Sequence, residues 1–250
     1  MENFLTLDVF KRGLSNYVKK FAYKSATQDD LWNELTIEAH KSKSIKEEMS
    51  VKEIMDTWTL QTGLPYITVT RNYQNKEIQI EQKRFILIET NSSDATKPDE
   101  EKDPLWWVPL TYTTSTELNF NETKPSHWMK ATKSMKIEED VDDAEWIMFN
   151  LQVAHYYRVN YDLKNWKLIT NYLNDPLKYS DISPANRAQL INDAMNLARA
   201  DILDYTVALD VTKYLRHETE YVPWKTAISD LFYIDSMLIH SSDYHLMKVQ

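Results

Sequence analysis

His217 and Glu218 open the string His217-Glu218-Thr219-Glu220-Tyr221. A His followed at once by a Glu is the first half of the arrangement with which a helix holds a catalytic zinc ion: two imidazoles one turn apart share a face, and the neighbouring carboxylate acts as general base. The second imidazole would have to stand where this sequence has Tyr221. Four residues after His40, His127, His155, His240 and His245 stand Ser44, Ala131, Val159, Tyr244 and Val249, so no H-x-x-x-H pattern exists. The plainer reading of His217 is a charged C-terminal helical turn that ends before Pro223, with Arg216 and His217 favourably placed near the carbonyl end. His240, Asp243 and His245 form a looser cluster. A spacing of five does not place two imidazoles on one helix face, so ligation there would need a loop.

Other chemistries are excluded by composition. The chain has no cysteine, which removes thiol nucleophiles, disulfides and thiolate metal sites together. Glycine occurs only at Gly13 and Gly63, against a usual share of about 7%. Phosphate-cradling loops and G-x-S-x-G nucleophile elbows need closely spaced glycines, so neither is present. Trp106, Trp107, Tyr156 and Tyr157 could stack nucleic acid bases, but their apolar neighbours argue for core packing. With 29 Lys and Arg against 38 Asp and Glu, the net charge of −9 disfavours a grip on phosphates, and no nucleic acid partner is expected. Asp142 and Asp143 sit in a charged run that reads as a solvated face. The sequons Asn91-Ser92-Ser93 and Asn121-Glu122-Thr123 are candidate N-glycosylation sites in polar stretches, although short sequons also arise by chance.

Periodicity supplies the elements that would carry these residues. Phe10, Leu14, Tyr17 and Phe21 recur at helical spacing with lysines and an arginine between them, predicting a one-faced helix whose apolar side needs a partner. Thr27 with Asp30, and Ser50 with Glu53, have capping-box spacing and open two further helices; Gly63 and Pro65 stop the second. Beyond Gly63 the period drops to two. Ile67 and Val69, then Ile78 and Ile80 across a polar turn near Asn75, predict a hairpin. Phe85 to Ile88, Trp106 to Tyr112 and Trp146 to Val159 are further strand candidates, and the polar, acidic stretch from Asn91 to Pro104 reads as a mobile loop. After Tyr161 the pattern is helical again. Asp162 caps a helix through Leu163, Trp166, Ile169 and Leu173, and Ser183-Pro184 opens one that is apolar on two faces. Helices over Leu203 to Leu215 and Pro223 to Ile239 follow, the grammar of a helical stack. The expected fold is therefore multidomain, α and β: a short helical segment, a β-sandwich, then an α-helical, solenoid-like region. At 250 residues with 42% hydrophobic side chains the chain can bury such cores. It contains no run of about 18 apolar residues, and its first residues lack the order of a signal peptide, so no membrane segment is expected in it.

Several strings carry a resemblance. VKEIMDTWTLQTGLPYITVTR from Val51 to Arg71, WWVPLTYTTS from Trp106 to Ser115, YYRVNYD from Tyr156 to Asp162, NRAQLINDAMNLAR from Asn186 to Arg199 and LRHETEYVPW from Leu215 to Trp224 resemble, in order, segments of the aminopeptidase N family of zinc metalloaminopeptidases. The resemblance implies residues 1–63 as the helical end of a thermolysin-like catalytic domain, 64–161 as a β-sandwich domain and 162–250 as the start of a helical C-terminal domain. The family's G-x-M-E-N loop, H-E-x-x-H motif with its third-ligand Glu, and transition-state Tyr have no counterpart at any position of this sequence. No catalytic or metal-ligating residue is carried over, and zinc is expected in the parent enzyme only. The resemblance implies a non-catalytic portion of an enzyme that removes N-terminal residues from peptides, inactive alone, whose partner is the missing catalytic domain. The alternative is a free-standing binding module or inactive homologue that associates with peptides or a full-length aminopeptidase. Parent enzymes of this kind are commonly extracellular, membrane-anchored or in the endoplasmic reticulum.

Overall fold

Four helices open the chain in a computed structural model that describes residues 1–87, 104–241 and 244: α1 (Glu2–Leu5), α2 (Leu7–Lys20), α3 (Gln28–Lys41) and α4 (Val51–Thr59). The two capping boxes form as their spacing indicates. Thr27 accepts from the Asp30 N–H and Ser50 from the Glu53 N–H, and each acid returns to the cap's own N–H; a cap of this kind stabilises by about 1 kcal/mol. Gly63, at φ 98°, turns the chain out of α4 in a conformation that side-chain-bearing residues resist. The α2 face differs from the expected one. Val9 and Gly13 are its buried positions, whereas Leu14 is exposed and Phe10, Tyr17 and Phe21 stay partly accessible. The reason is Gly13: with no Cβ it lets α2 approach α3 so closely that a methyl there would stand 2.8 Å from Leu35 Cδ2.

The middle of the chain holds eight strands among the described residues. β1 (Pro65–Asn72) and β2 (Glu77–Arg84) make the expected hairpin. β3 (Trp107–Leu110), β4 (Tyr112–Thr114), β5 (His127–Lys130), β6 (Ser134–Glu138), β7 (Ile147–Phe149) and β8 (Arg158–Tyr161) follow. One sheet has the order β6-β2-β1-β8, with β8 parallel to β1; β3–β5 and β4–β7 form two-stranded antiparallel pairs. Ile67, Val69, Ile78 and Ile80 of the larger sheet share a core with Val108, Leu110, Met129 and Phe149 of the pairs, which makes the sheet-rich region a layered one. Buried Gln82 ties the layers by donating to the carbonyls of Trp106 and Thr132, both at 2.9 Å, and accepting from the Trp106 N–H at 2.9 Å.

Three strand expectations change. Phe85 leaves the ladder at the end of β2 and turns its ring edge-on to Tyr66; Ile88 lies outside the described residues, as does the loop read over 91–104 apart from Pro104. The run from Trp106 to Tyr112 divides at Thr111, because β3 and β4 pair with different strands. The run from Trp146 to Val159 divides into β7, a 3-10 turn over Leu151–Val153, and β8. Strands β5 and β6 were not singled out from the sequence: β5 does not alternate, and β6 alternates but carries only Met135 and Ile137 on its apolar side, too short a signal to stand out.

The last part is helical: α5 (Leu163–Asn174), α6 (Pro184–Arg199), α7 (Tyr205–Thr212) and α8 (Tyr221–Leu238). Asp162 and Ser183 cap α5 and α6 through the N–H groups of Asn165 and Asn186. α6 is buried nearly all round, from Asn186 and Arg187 to Leu197 and Ala198, as its two apolar faces indicate. Its core is not separate from that of the sheets. Trp166, Ile169, Leu190, Ile191 and Leu197 belong to the same continuous cluster as Ile67, Trp106 and Phe149. A second cluster, centred on Phe4, Leu5, Trp32, Leu35, Val51 and Ile54, joins it through Trp58, whose Nε1 donates to the Trp107 carbonyl at 3.0 Å.

Candidate functional site

The segment around His217 is placed by α6, by the 3-10 turn Lys213–His217 that follows α7, and by the start of α8. Glu218 points inward. Arg187 of α6 donates from Nε to its Oε2 at 2.7 Å and from Nη2 to its Oε1 at 2.9 Å, a bidentate pair whose side chains are 3% and 0% exposed. The same Oε1 accepts from the N–H groups of Thr219 and Glu220, and the Glu218 carbonyl accepts from Trp224 Nε1 at 3.0 Å. Burial alone would raise the Glu218 pKa, but Arg187 and the two backbone donors outweigh it and hold the carboxyl below its ordinary range. Glu218 is therefore a charged strut between α6 and the first turn of α8.

His217 is engaged differently. Its Nε2 accepts from Arg216 Nε at 3.0 Å and its ring lies against Tyr179, centroids 6.4 Å apart. Tyr221, where a second ligand would stand, is 73% exposed at the other end of the turn. Among the described residues no group of three or more His, Cys, Asp or Glu could hold a metal ion, so the side chains present do not fit a zinc site. His240 is exposed beyond α8, and Asp243 and His245 lie outside the described residues.

A second polar centre lines a groove of about 470 Å³ between α6, the start of α8 and the β7–β8 connection. Asn150, Gln152 and Val153 of that connection have positive φ of 62°, 55° and 53°; such backbone persists only where its surroundings over-determine it. They do so through buried Asn150. Its side chain donates to the carbonyls of His155 and Tyr157 and accepts from the His155 N–H, while Asn186 Nδ2 donates to its carbonyl at 3.1 Å. His155, partly buried, faces the Thr123 carbonyl with Nε2 at 3.3 Å, and burial lowers its pKa to about 4. Asp193 of α6 accepts from Arg158 Nη1 at 2.9 Å and from the Val159 N–H at 3.0 Å. Burial raises its pKa to about 6 against the pull of Arg158. These groups are held by backbone partners on either side of the groove, an arrangement that braces the sheet against α6.

A third polar centre is formed by buried Arg71. Its guanidinium donates to the carbonyls of Val141 and Asp142 at 3.1 and 2.9 Å and to that of Glu145, and its N–H donates to Asp162 Oδ2 at 3.1 Å. Sequence reasoning passed over Arg71, Arg158, Arg187, Asp193 and the inward role of Glu218. The signal was there in α6, where Arg187 and Asp193 interrupt an otherwise apolar two-faced pattern, because a charge at a buried position needs a partner. Trp106 and Tyr157 are buried as expected and Trp107 is partly so, whereas Tyr156 is 71% exposed. Asp142 and Asp143 are exposed, with Asp143 paired to Lys164 at 3.3 Å. Asn121 is exposed on a turn; Asn91 lies outside the described residues.

Residues 1–58 match the peptidase family M1 domain and residues 146–249 match the ERAP1-like C-terminal domain. The chain is 37% identical over 248 residues to aminopeptidase N of Mus musculus, 40% over 248 residues to that of Rattus norvegicus, and 36% over 253 residues to that of Plutella xylostella. Each similarity covers 99% of this chain but only 24% to 25% of the relative's length.

Proposed function

Because this chain belongs to the aminopeptidase N family, we propose that it serves the zinc-dependent removal of N-terminal residues from peptides as a non-catalytic scaffold. The observation that carries this reading is Glu218, the one carboxylate adjoining a histidine in a zinc-like order. It is spent on a buried bidentate pair with Arg187, which a metal-site base could not be while remaining free to take a proton. Residues 1–63 would be the helical end of the catalytic domain, 64–161 the sandwich and 162–250 the start of the helical C-terminal domain. The seam at Trp58 and Trp107 then holds catalytic-domain helices in register with the sheets. Zinc is the cofactor of the family, and nothing among this chain's described residues fits it.

The test is metal analysis of the purified chain together with hydrolysis of alanyl and leucyl chromogenic amides. Sub-stoichiometric zinc and no hydrolysis are expected; one zinc per chain with hydrolysis would overturn the reading. A second reading, a module that associates with peptides or with a full-length aminopeptidase, is favoured by the open face of α8, where Tyr221, Ile228 and Phe232 are 73%, 45% and 66% exposed. Co-purification with full-length enzyme that survives moderate salt would support that reading. In a secreted context Asn121, exposed on its turn, and Asn91 would carry glycans. Intact mass before and after glycosidase treatment checks both.

A further inference from the structure

A groove of about 450 Å³ lies between the α3–α4 connection and the segment that leads into β5, within the size range of ligand-binding clefts. Its floor is apolar, made by Phe4, Ile45, Met49 and Trp128, with the Phe4 and Trp128 rings edge-to-face at 5.3 Å. Phe4, Ile45 and Met49 are buried, and Trp128 keeps part of its indole accessible. The rim is basic on both sides. Lys43 and Lys46 stand on one wall and Lys124 on the other, all exposed. None of the three makes an ion pair among the described residues, whereas nearby Lys41 and Lys52 are paired with Glu38 and with Asp29 and Asp56. Unpaired lysines on facing walls form a local positive field against the chain's net charge of −9. The rim carboxylate is Glu47; Glu122, two residues before Lys124, is turned onto the Lys124 N–H at 3.1 Å.

Both walls are built rigidly. His40 Nε2 bonds the Met49 carbonyl at 2.8 Å, and the Ser44 N–H and Ser42 Oγ return to the Ala39 carbonyl at 3.0 and 3.1 Å, which fixes the turn through Lys43, itself at φ 55°. Opposite, the Ser126 N–H donates to the Leu110 carbonyl at 3.0 Å, and His155 Nε2 meets the Thr123 carbonyl. A preformed cleft with an indole in its floor and ammonium groups on both lips suits one kind of occupant: an apolar side chain for the floor, flanked by carboxylates for the lysines.

We propose that this groove docks an acidic linear peptide segment with a central aromatic or aliphatic side chain. The proposal is independent of the scaffold reading, since it concerns a surface of this chain and not its part in peptide hydrolysis. The test holds the full chain at low density on a biosensor surface, which keeps copies apart, and titrates the peptide Glu-Glu-Phe-Glu-Glu and its neutral counterpart Gln-Gln-Phe-Gln-Gln. Saturable binding of the acidic peptide is expected, weakening as salt rises and falling by about tenfold in K43E/K46E and in K124E, since rim charges govern encounter and salt dependence. The lysines are exposed, so circular dichroism of the variants should match the parent; K124Q, which removes charge without reversing it, gives an intermediate loss. Equal binding of the neutral peptide, wild-type binding by both charge-reversed variants, or no saturation by about 1 mM, the weak end of specific recognition, would each overturn the proposal.

Discussion

Glu218 has a definite energetic role. Truncating it leaves the Arg187 guanidinium buried without its counter-charge and frees two N–H groups at the start of α8. Loss of one partner of a buried pair costs about 3–5 kcal/mol, so Glu218→Ala should lower the urea midpoint of the chain by that equivalent while leaving its zinc content unchanged. An unaltered midpoint would mean the pair does not form. Two other groups set a pH dependence of opposite signs. His155, held at about 4 against an ordinary value near 6.5, contributes about 3 kcal/mol that is present above pH ~6.5 and lost as pH falls through about 4. Asp193, raised to about 6 from an ordinary value near 3.9, contributes about 3 kcal/mol that is present below pH ~4 and lost as pH rises through about 6. The two nearly cancel in the parent. Removing the second should expose the first: the stability deficit of Asp193→Asn should grow by about 3 kcal/mol between pH 7 and pH 4, read by urea unfolding at each pH. The residues themselves were visible in the sequence, but their pairing was not, because Arg187 and Glu218 lie 31 positions apart and no local period connects them.

Among the elements, the α2–α3 crossing rests on one residue. Alanine at position 13 would improve helix propensity by about 1 kcal/mol. Its Cβ, however, would stand 2.8 Å from Leu35 Cδ2 and 3.2 Å from Leu35 Cα, and the Cα belongs to backbone that cannot rotate away. Overpacking of this kind costs about 1–3 kcal/mol, so Gly13→Ala should be net destabilising by about 1 kcal/mol in chemical denaturation. A stabilised variant would show that the helices are farther apart. Caps and stops were the most legible features: Thr27, Ser50, Asp162 and Ser183 all act where their spacing puts them, because a cap bonds N–H groups two or three residues away. The strands β5 and β6 were missed and the run from Trp146 split in two, because strand identity depends on partners distant in sequence.

Among the described residues, the larger of two core clusters runs continuously from the sheets into the helices. Trp166, Ile169, Leu190 and Leu197 fill the same cluster as Ile67 and Phe149, so residues 64–161 alone should bind a hydrophobic dye as a molten chain does. The outer side of α8 is the reverse case, an apolar face left open. Each large side chain covered there would be worth about 1.5–3 kcal/mol, a strong drive to association. We expect light scattering to report oligomers of the full chain and Ile228→Glu with Phe232→Lys to reduce them; a monodisperse parent would mean that the face is already covered.

What the sequence determined by itself is the set of local decisions: where helices start, which stretches alternate, that no second imidazole follows His217 at one turn, and, through five ordered strings, the family. These depend on neighbours within about one helical turn or on the residue types alone. The tertiary structure decided what depends on distant partners. It joined β8 to β1 in parallel, turned Glu218 inward to Arg187, fused the sheet and helix cores into one, and brought three unpaired lysines around Trp128. Each of these sets burial and charge environment through residues far apart in the chain, and burial is what makes a carboxylate a strut or a lysine a binding group.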